Sequence, residues 1–68
     1  MSKKVRHTIL RRKEVEKRTG FPRSTMYHRI KEGTFPKPLK LGARSVGWLE
    51  SEIESWIAAC IDIRDKEP

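Results

Sequence analysis

Arg18-Thr19-Gly20-Phe21-Pro22-Arg23-Ser24-Thr25-Met26-Tyr27-His28-Arg29-Ile30-Lys31-Glu32-Gly33 is the stretch that decides the fold. Gly20 ends a first helix, because glycine tolerates the left-handed conformation at a helix C-terminus. Pro22 has a preset φ that suits the first turn of a second helix. That helix runs to Glu32, and Gly33 stops it. Thr19-Gly20-Phe21 has the length of a helix-turn-helix connection, with the glycine at the bend. At about 100° per residue, Met26 and Ile30 share one narrow apolar face with Arg23 beside them. Ser24, His28 and Lys31 lie opposite, and Thr25 and Tyr27 sit on the two flanks.

Toward the N-terminus, Arg12 to Arg18 reads as a short helix with only Val15 and Leu10 to orient it. Thr8-Ile9-Leu10 either forms a first strand or leads into that helix. Met1–His7 is polar and basic. These boundaries divide the chain into a basic arm (1–8), one folded domain (9–63) and a polar tail (64–68).

Toward the C-terminus, the alternate prolines of Phe35-Pro36-Lys37-Pro38 hold the chain extended. Leu39-Lys40-Leu41 and Val46-Gly47-Trp48 alternate with period two around Gly42-Ala43-Arg44-Ser45, which predicts a hairpin with a four-residue basic tip. Leu39, Leu41, Val46 and Trp48 are expected on its inner face. Ser51-Glu52-Ile53-Glu54 matches a capping box, a hydroxyl followed three residues later by a carboxylate. Leu49, Ile53, Trp56, Ile57 and Cys60 recur at helical spacing, which makes Cys60 an expected small buried residue. The expected fold class is mainly α with a small β-hairpin, a winged helix-turn-helix.

Charge points to the partner. Met1–Trp48 carries fourteen Lys and Arg against three acids, while Leu49–Pro68 carries two against six. A basic body with an acidic end attracts a polyanion and orients on it. The amphipathic last helix has the wrong sign for an anionic bilayer, so a membrane is excluded as partner. Sixty-eight residues leave room for one small domain rather than an enzyme with a pocket. The single Cys60 suits a reducing cytoplasm. His7, His28 and Cys60 lack metal-ligand spacing, and no nucleophile–base pair is visible, so neither metal, cofactor nor catalysis is expected.

The candidate interface follows from helix-turn-helix geometry, in which the second helix offers its N-terminal polar side chains to base edges in the major groove. Arg23, Ser24, Thr25 and His28 occupy that position. Tyr27 can close the edge of the core with its ring and reach a phosphate with its hydroxyl. Arg44, at the tip of the basic hairpin with Lys40 near it, suits a neighbouring groove or its backbone. Lys31, Lys37 and Lys40 add field strength. Double-stranded DNA is the expected partner.

The same residues carry a family resemblance. Arg18-Thr19-Gly20, Arg23-Ser24-Thr25-Met26-Tyr27 and Ile30-Lys31-Glu32-Gly33-Thr34-Phe35-Pro36 are followed by Lys40-Leu41-Gly42 and Arg44-Ser45-Val46-Gly47-Trp48. Leu49-Glu50-Ser51-Glu52-Ile53-Glu54 with Trp56 completes the set. Leu10 to Trp56 thereby resembles the AlpA-type phage and prophage regulators, excisionase-like winged-helix proteins related to the MerR DNA-binding domain. The resemblance implies sequence-specific DNA binding in the cytoplasm of a bacterium, at the nucleoid, with RNA polymerase or an integrase as a further partner. It makes the helix from Arg23 to Lys31 the recognition helix and Arg44 the wing arginine. Its role is transcription control, or, as an alternative, DNA bending for excision. An adaptor role for the acidic residues Glu50, Glu52, Glu54 and Asp62 is the alternative from another class. Two positions depart from the family pattern: Pro22 replaces a common capping Ser, and Ala43 a frequent second Gly.

Overall fold

A computed structural model describes residues 7–67; the expected basic arm therefore lies outside the described residues up to position 6. The order is β1 (Ile9–Leu10), α1 (Arg12–Thr19), α2 (Arg23–Glu32), β2 (Leu39–Lys40), β3 (Val46–Leu49) and α3 (Glu50–Lys66). Three helices surround one small antiparallel sheet in which β3 lies between β1 and β2. Thr8-Ile9-Leu10, for which the pattern left two alternatives, provides the first strand.

The two glycines end their helices as expected. Gly20 (φ 77°) donates its N–H to the Glu16 carbonyl at 2.8 Å, and Gly33 (φ 81°) closes α2 on the Ile30 carbonyl at 3.1 Å. Both lie in the left-handed region, where a β-carbon is strained. The corner between α1 and α2 is also tied by Thr19. Its hydroxyl donates to the Val15 carbonyl at 2.8 Å and accepts the Phe21 N–H at 3.3 Å. Pro22 is not inside α2 but precedes it as the cap residue, with φ −72° and an extended ψ of 163°. Its ring fixes only φ, which fits both conformations; the chain leaves the corner extended, and α2 opens at Arg23.

The core takes one side chain from nearly every segment: Leu10, Val15, Met26, Phe35, Trp48 and Ile53. Each fully buried large apolar side chain contributes about 1.5–3 kcal/mol. Met26 and Trp48, expected on apolar faces, are buried, as is Phe35, while Trp56 is half-buried, stacked edge-on against Phe21 and Phe35. The indole N–H of Trp48 donates to the Pro36 carbonyl at 3.0 Å, and that of Trp56 to the Thr34 carbonyl at 2.8 Å. The two tryptophans thus pin the Thr34–Pro36 segment to β3 and α3.

Three further expectations need correction. Lys40, not Leu41, pairs with Val46, so the hairpin loop has one more residue than the sequence pattern suggested. A one-residue slip exchanges the faces of a strand. Leu39 and Leu41 therefore lie on the opposite face from Val46 and Trp48 and are partly exposed. Second, Ser51 does not cap α3. Leu49 is the cap residue and makes no side-chain cap bond, because β3 runs directly into the helix. The Glu50 N–H instead donates to the Thr8 carbonyl at 2.8 Å. Third, Cys60 is exposed. From Ala58 onward the side chains of α3 are exposed, Ile61 and Ile63 among them, although Cys60 and Ile61 still line a shallow concavity with Arg18 and Thr19 at the end of α1. The helix extends to Lys66, so the first residues of the polar 64–68 segment are helical. No helix among the described residues is long and apolar enough to cross a membrane.

Candidate nucleic-acid interface

α2 buries Met26 and turns most of its polar residues outward. Arg23, Ser24, His28 and Lys31 are exposed, while Thr25 is half-buried on the flank. Tyr27 is held at the edge of the core, its ring edge-on to Trp48 at 6.3 Å between centroids. The Arg23 guanidinium lies 5.8 Å from the centroid of that ring, close enough for a cation–π attraction. Pro22, Arg23, Ser24 and Tyr27 together line a shallow concavity at the start of the helix. With no acidic residue in its first turn, nothing there opposes the approach of an anion to the positive helix end.

His28 is less free than its position suggests, since its Nε2 lies 3.2 Å from a Glu32 carboxylate oxygen one turn on. Arg29, between the two faces, stacks its guanidinium over the Phe21 ring at 4.8 Å and so belongs to the packing of the helix corner.

The hairpin tip forms a second basic surface. Lys40 is exposed, and so is Arg44. Arg44 lines a concavity with Arg11, Arg12, Lys13 and Val46. Sequence reading missed Arg11, Arg12 and Lys13 as companions of Arg44. The cause is the pairing of Ile9 with Leu49 and of Leu10 with Trp48. Running antiparallel to β3, the chain after Leu10 heads back toward Val46 and the tip. The three-base run at the entry of α1 was the visible signal; its neighbour was not.

One acidic group acts internally. The Arg18 guanidinium binds Glu14 at 3.2 Å, Glu50 at 3.0 Å and Glu54 at 3.1 Å, which ties α1 to the start of α3. The hydrogen bonds it donates to Glu14 and then Glu50 hold its pKa above the ordinary arginine value. Asp62 pairs with Lys66 at 3.1 Å. Of the four acids considered for an adaptor surface, only Glu52 has no ion-pair partner among the described residues.

These features define a small, strongly basic, mainly helical domain with two exposed cationic surfaces. Comparison with known proteins places it more closely. Residues 8–61 match the family described as prophage CP4-57 regulatory protein (AlpA). The chain is 44% identical over 53 residues to the uncharacterized protein ORF88 of Enterobacteria phage P4, covering 78% of this chain and 60% of that protein. It is 41% identical over 56 residues to the DNA-binding transcriptional activator AlpA of Escherichia coli (strain K12), covering 74% of this chain and 80% of that one. The match thus spans less than two thirds of the phage protein's length. The chain belongs to the AlpA family of prophage regulatory proteins.

Proposed function

We propose that the protein is a sequence-specific regulator that binds double-stranded DNA through a winged helix-turn-helix. In this reading the DNA-binding domain spans 9–63, with the basic arm 1–8 before it and the polar segment 64–68 after it. α1 and α2 are the helix-turn-helix, α2 enters the major groove, and the β2–β3 hairpin is the wing on an adjacent groove or its backbone. Arg23, Ser24, Thr25, Tyr27, His28 and Lys31 on α2, with Lys40 and Arg44 on the hairpin, are the proposed contacts. Tyr27 divides its work: the ring stays on Trp48 and the hydroxyl reaches a phosphate.

The carrying observation is that α2 anchors itself through Met26 while its first turn presents Arg23 and Ser24 to solvent with no acid beside them. The name of the Escherichia coli relative, a DNA-binding transcriptional activator, supports the same reading. Action is by occupancy in the bacterial cytoplasm: the bound protein recruits or blocks RNA polymerase or an integrase and performs no chemistry of its own.

The test uses a duplex enriched from a random pool by the protein itself, compared with an unrelated duplex. Ser24→Ala and Thr25→Ala should keep the parent's melting temperature, because surface changes usually stay within about 0.5 kcal/mol. They should shrink the affinity gap between the two duplexes by about 1–3 kcal/mol per discriminating contact. Early melting, or an unchanged gap in both variants, would show that α2 is a packing element and that specificity lies elsewhere.

A further inference from the structure

The concavity between the start of α1 and the hairpin tip holds a group of cations that the proposed reading of α2 does not use. Arg11, Arg12, Lys13 and Arg44 converge there from two distant parts of the chain, with Val46 as the apolar wall. Arg12 is neutralised by Glu16 at 3.2 Å. Arg11, Lys13 and Arg44 face no carboxylate within ion-pair distance among the described residues. Bringing like charges together raises the free energy of the empty site, and an anion seated between them relieves that repulsion. We propose that Arg11, Lys13 and Arg44 form one subsite that grips a single backbone phosphate of the DNA duplex.

The inference rests on the DNA-binding reading and adds to it a contact from α1. The chemistry of the lining selects the phosphate. Two guanidiniums offer planar forks to phosphate oxygens and the lysine adds a point charge. The lining contains no aromatic ring on which a base could stack and no carboxylate left free to accept from a base edge. The grip is therefore blind to sequence, and it fixes register rather than choosing a site. Arg44 belongs to both the hairpin tip and the concavity, so the subsite continues the surface of the wing. It is open rather than enclosed: three surface cations suit a phosphate presented by a long polyanion, which counterion release favours, better than a free small anion.

Alanine variants of Arg11, Lys13 and Arg44, singly and as a triple, are measured on the enriched and the unrelated duplex across a salt series. Each single change should weaken both duplexes by the same factor, roughly five- to tenfold at moderate salt. Because one phosphate is shared, the triple variant should lose less than the product of the three factors. Its log–log salt slope should fall by about one rather than three. Arg11→Lys should retain most of the affinity, which separates lost charge from lost folding should Arg11→Ala melt early. Parent-like binding by all three single variants, independent multiplicative losses, or a changed ratio between the duplexes would each overturn the subsite. So would competition at this site by low-millimolar inorganic phosphate, which would mark a free-anion site. If the parent enriches no duplex, the proposed function fails and this inference with it. If Ser24→Ala or Thr25→Ala narrows discrimination while the three cation variants bind like the parent, the DNA reading stands and the subsite alone falls.

Discussion

Gly47 shows how much one missing side chain can organise. A β-carbon there would lie 2.5 Å from Ile9 Cγ2, 3.1 Å from Leu41 Cδ1 and 3.2 Å from the Leu10 carbonyl oxygen. The two side-chain ends can move, but the Leu10 carbonyl is fixed by the pairing of β1 with β3. Gly47→Ala should therefore destabilise the domain by about 1–3 kcal/mol, the range for overpacked interiors. In a domain of this size that lowers the melting temperature by roughly 5 °C or more. Thermal unfolding followed by circular dichroism measures it, and an unchanged midpoint would mean that Ile9 does not close over β3. Met26→Ala tests the opposite fault. Met26 is fully buried where α2 meets the core, so truncation should cost about 2–5 kcal/mol through the cavity it leaves. That loss should lower affinity for every duplex alike, unlike the changes at Ser24 and Thr25.

Among the elements, legibility tracked the range of the cause. The ends of α1 and α2 were readable because a glycine in the left-handed region is a local signal, written in the residue itself. The apolar face of α2 was readable for the same reason: Met26 is buried and Ser24 and His28 are not. The hairpin faces were not, because register follows from the whole sheet. β1 covers Gly47 with Ile9, and Leu41 joins it there, so Leu39 of β2 and Leu41 after it go to that side instead of to the core. The start of α3 misled similarly. Its capping pattern is present in the sequence, yet the strand before it ends in a residue paired with Ile9, and the helix begins one residue before Ser51. Glu54, the expected capping carboxylate, binds Arg18 instead. Ser51→Ala is thus expected to shift stability by no more than about 0.5 kcal/mol, where loss of a true cap costs about 1 kcal/mol. A melting midpoint lowered by more than about 4 °C would restore the hydroxyl to a capping role.

For the molecule as a whole, the contrast between a basic body and an acidic end is real in the sequence but reduced by folding. Arg18 gathers Glu14, Glu50 and Glu54, so part of the acidic segment is turned onto the body rather than away from it. Arg12 is paired with Glu16, and Arg29 is stacked on Phe21. Arg12–Glu16 and Arg18–Glu14 are pairs one helical turn apart and legible from spacing. Glu50 and Glu54 are not, since Arg18 reaches its α3 partners only after the sheet has folded the chain back. What is left for a polyanion among the described residues is Arg11, Lys13, Lys17, Arg23, Lys31, Lys37, Lys40 and Arg44, all exposed. If the two cationic surfaces neutralise about five phosphates between them, the logarithm of the binding constant should fall with the logarithm of salt concentration at a slope near −4 to −5. Between 50 and 200 mM salt that is a loss of roughly 500-fold in affinity. A fluorescence anisotropy titration on the enriched duplex at several salt concentrations gives the slope directly. A value shallower than about −2 would mean that only one of the two surfaces meets the backbone. In that case the Arg44 and Arg23 variants would identify which, because only the engaged surface loses slope when its arginine is removed.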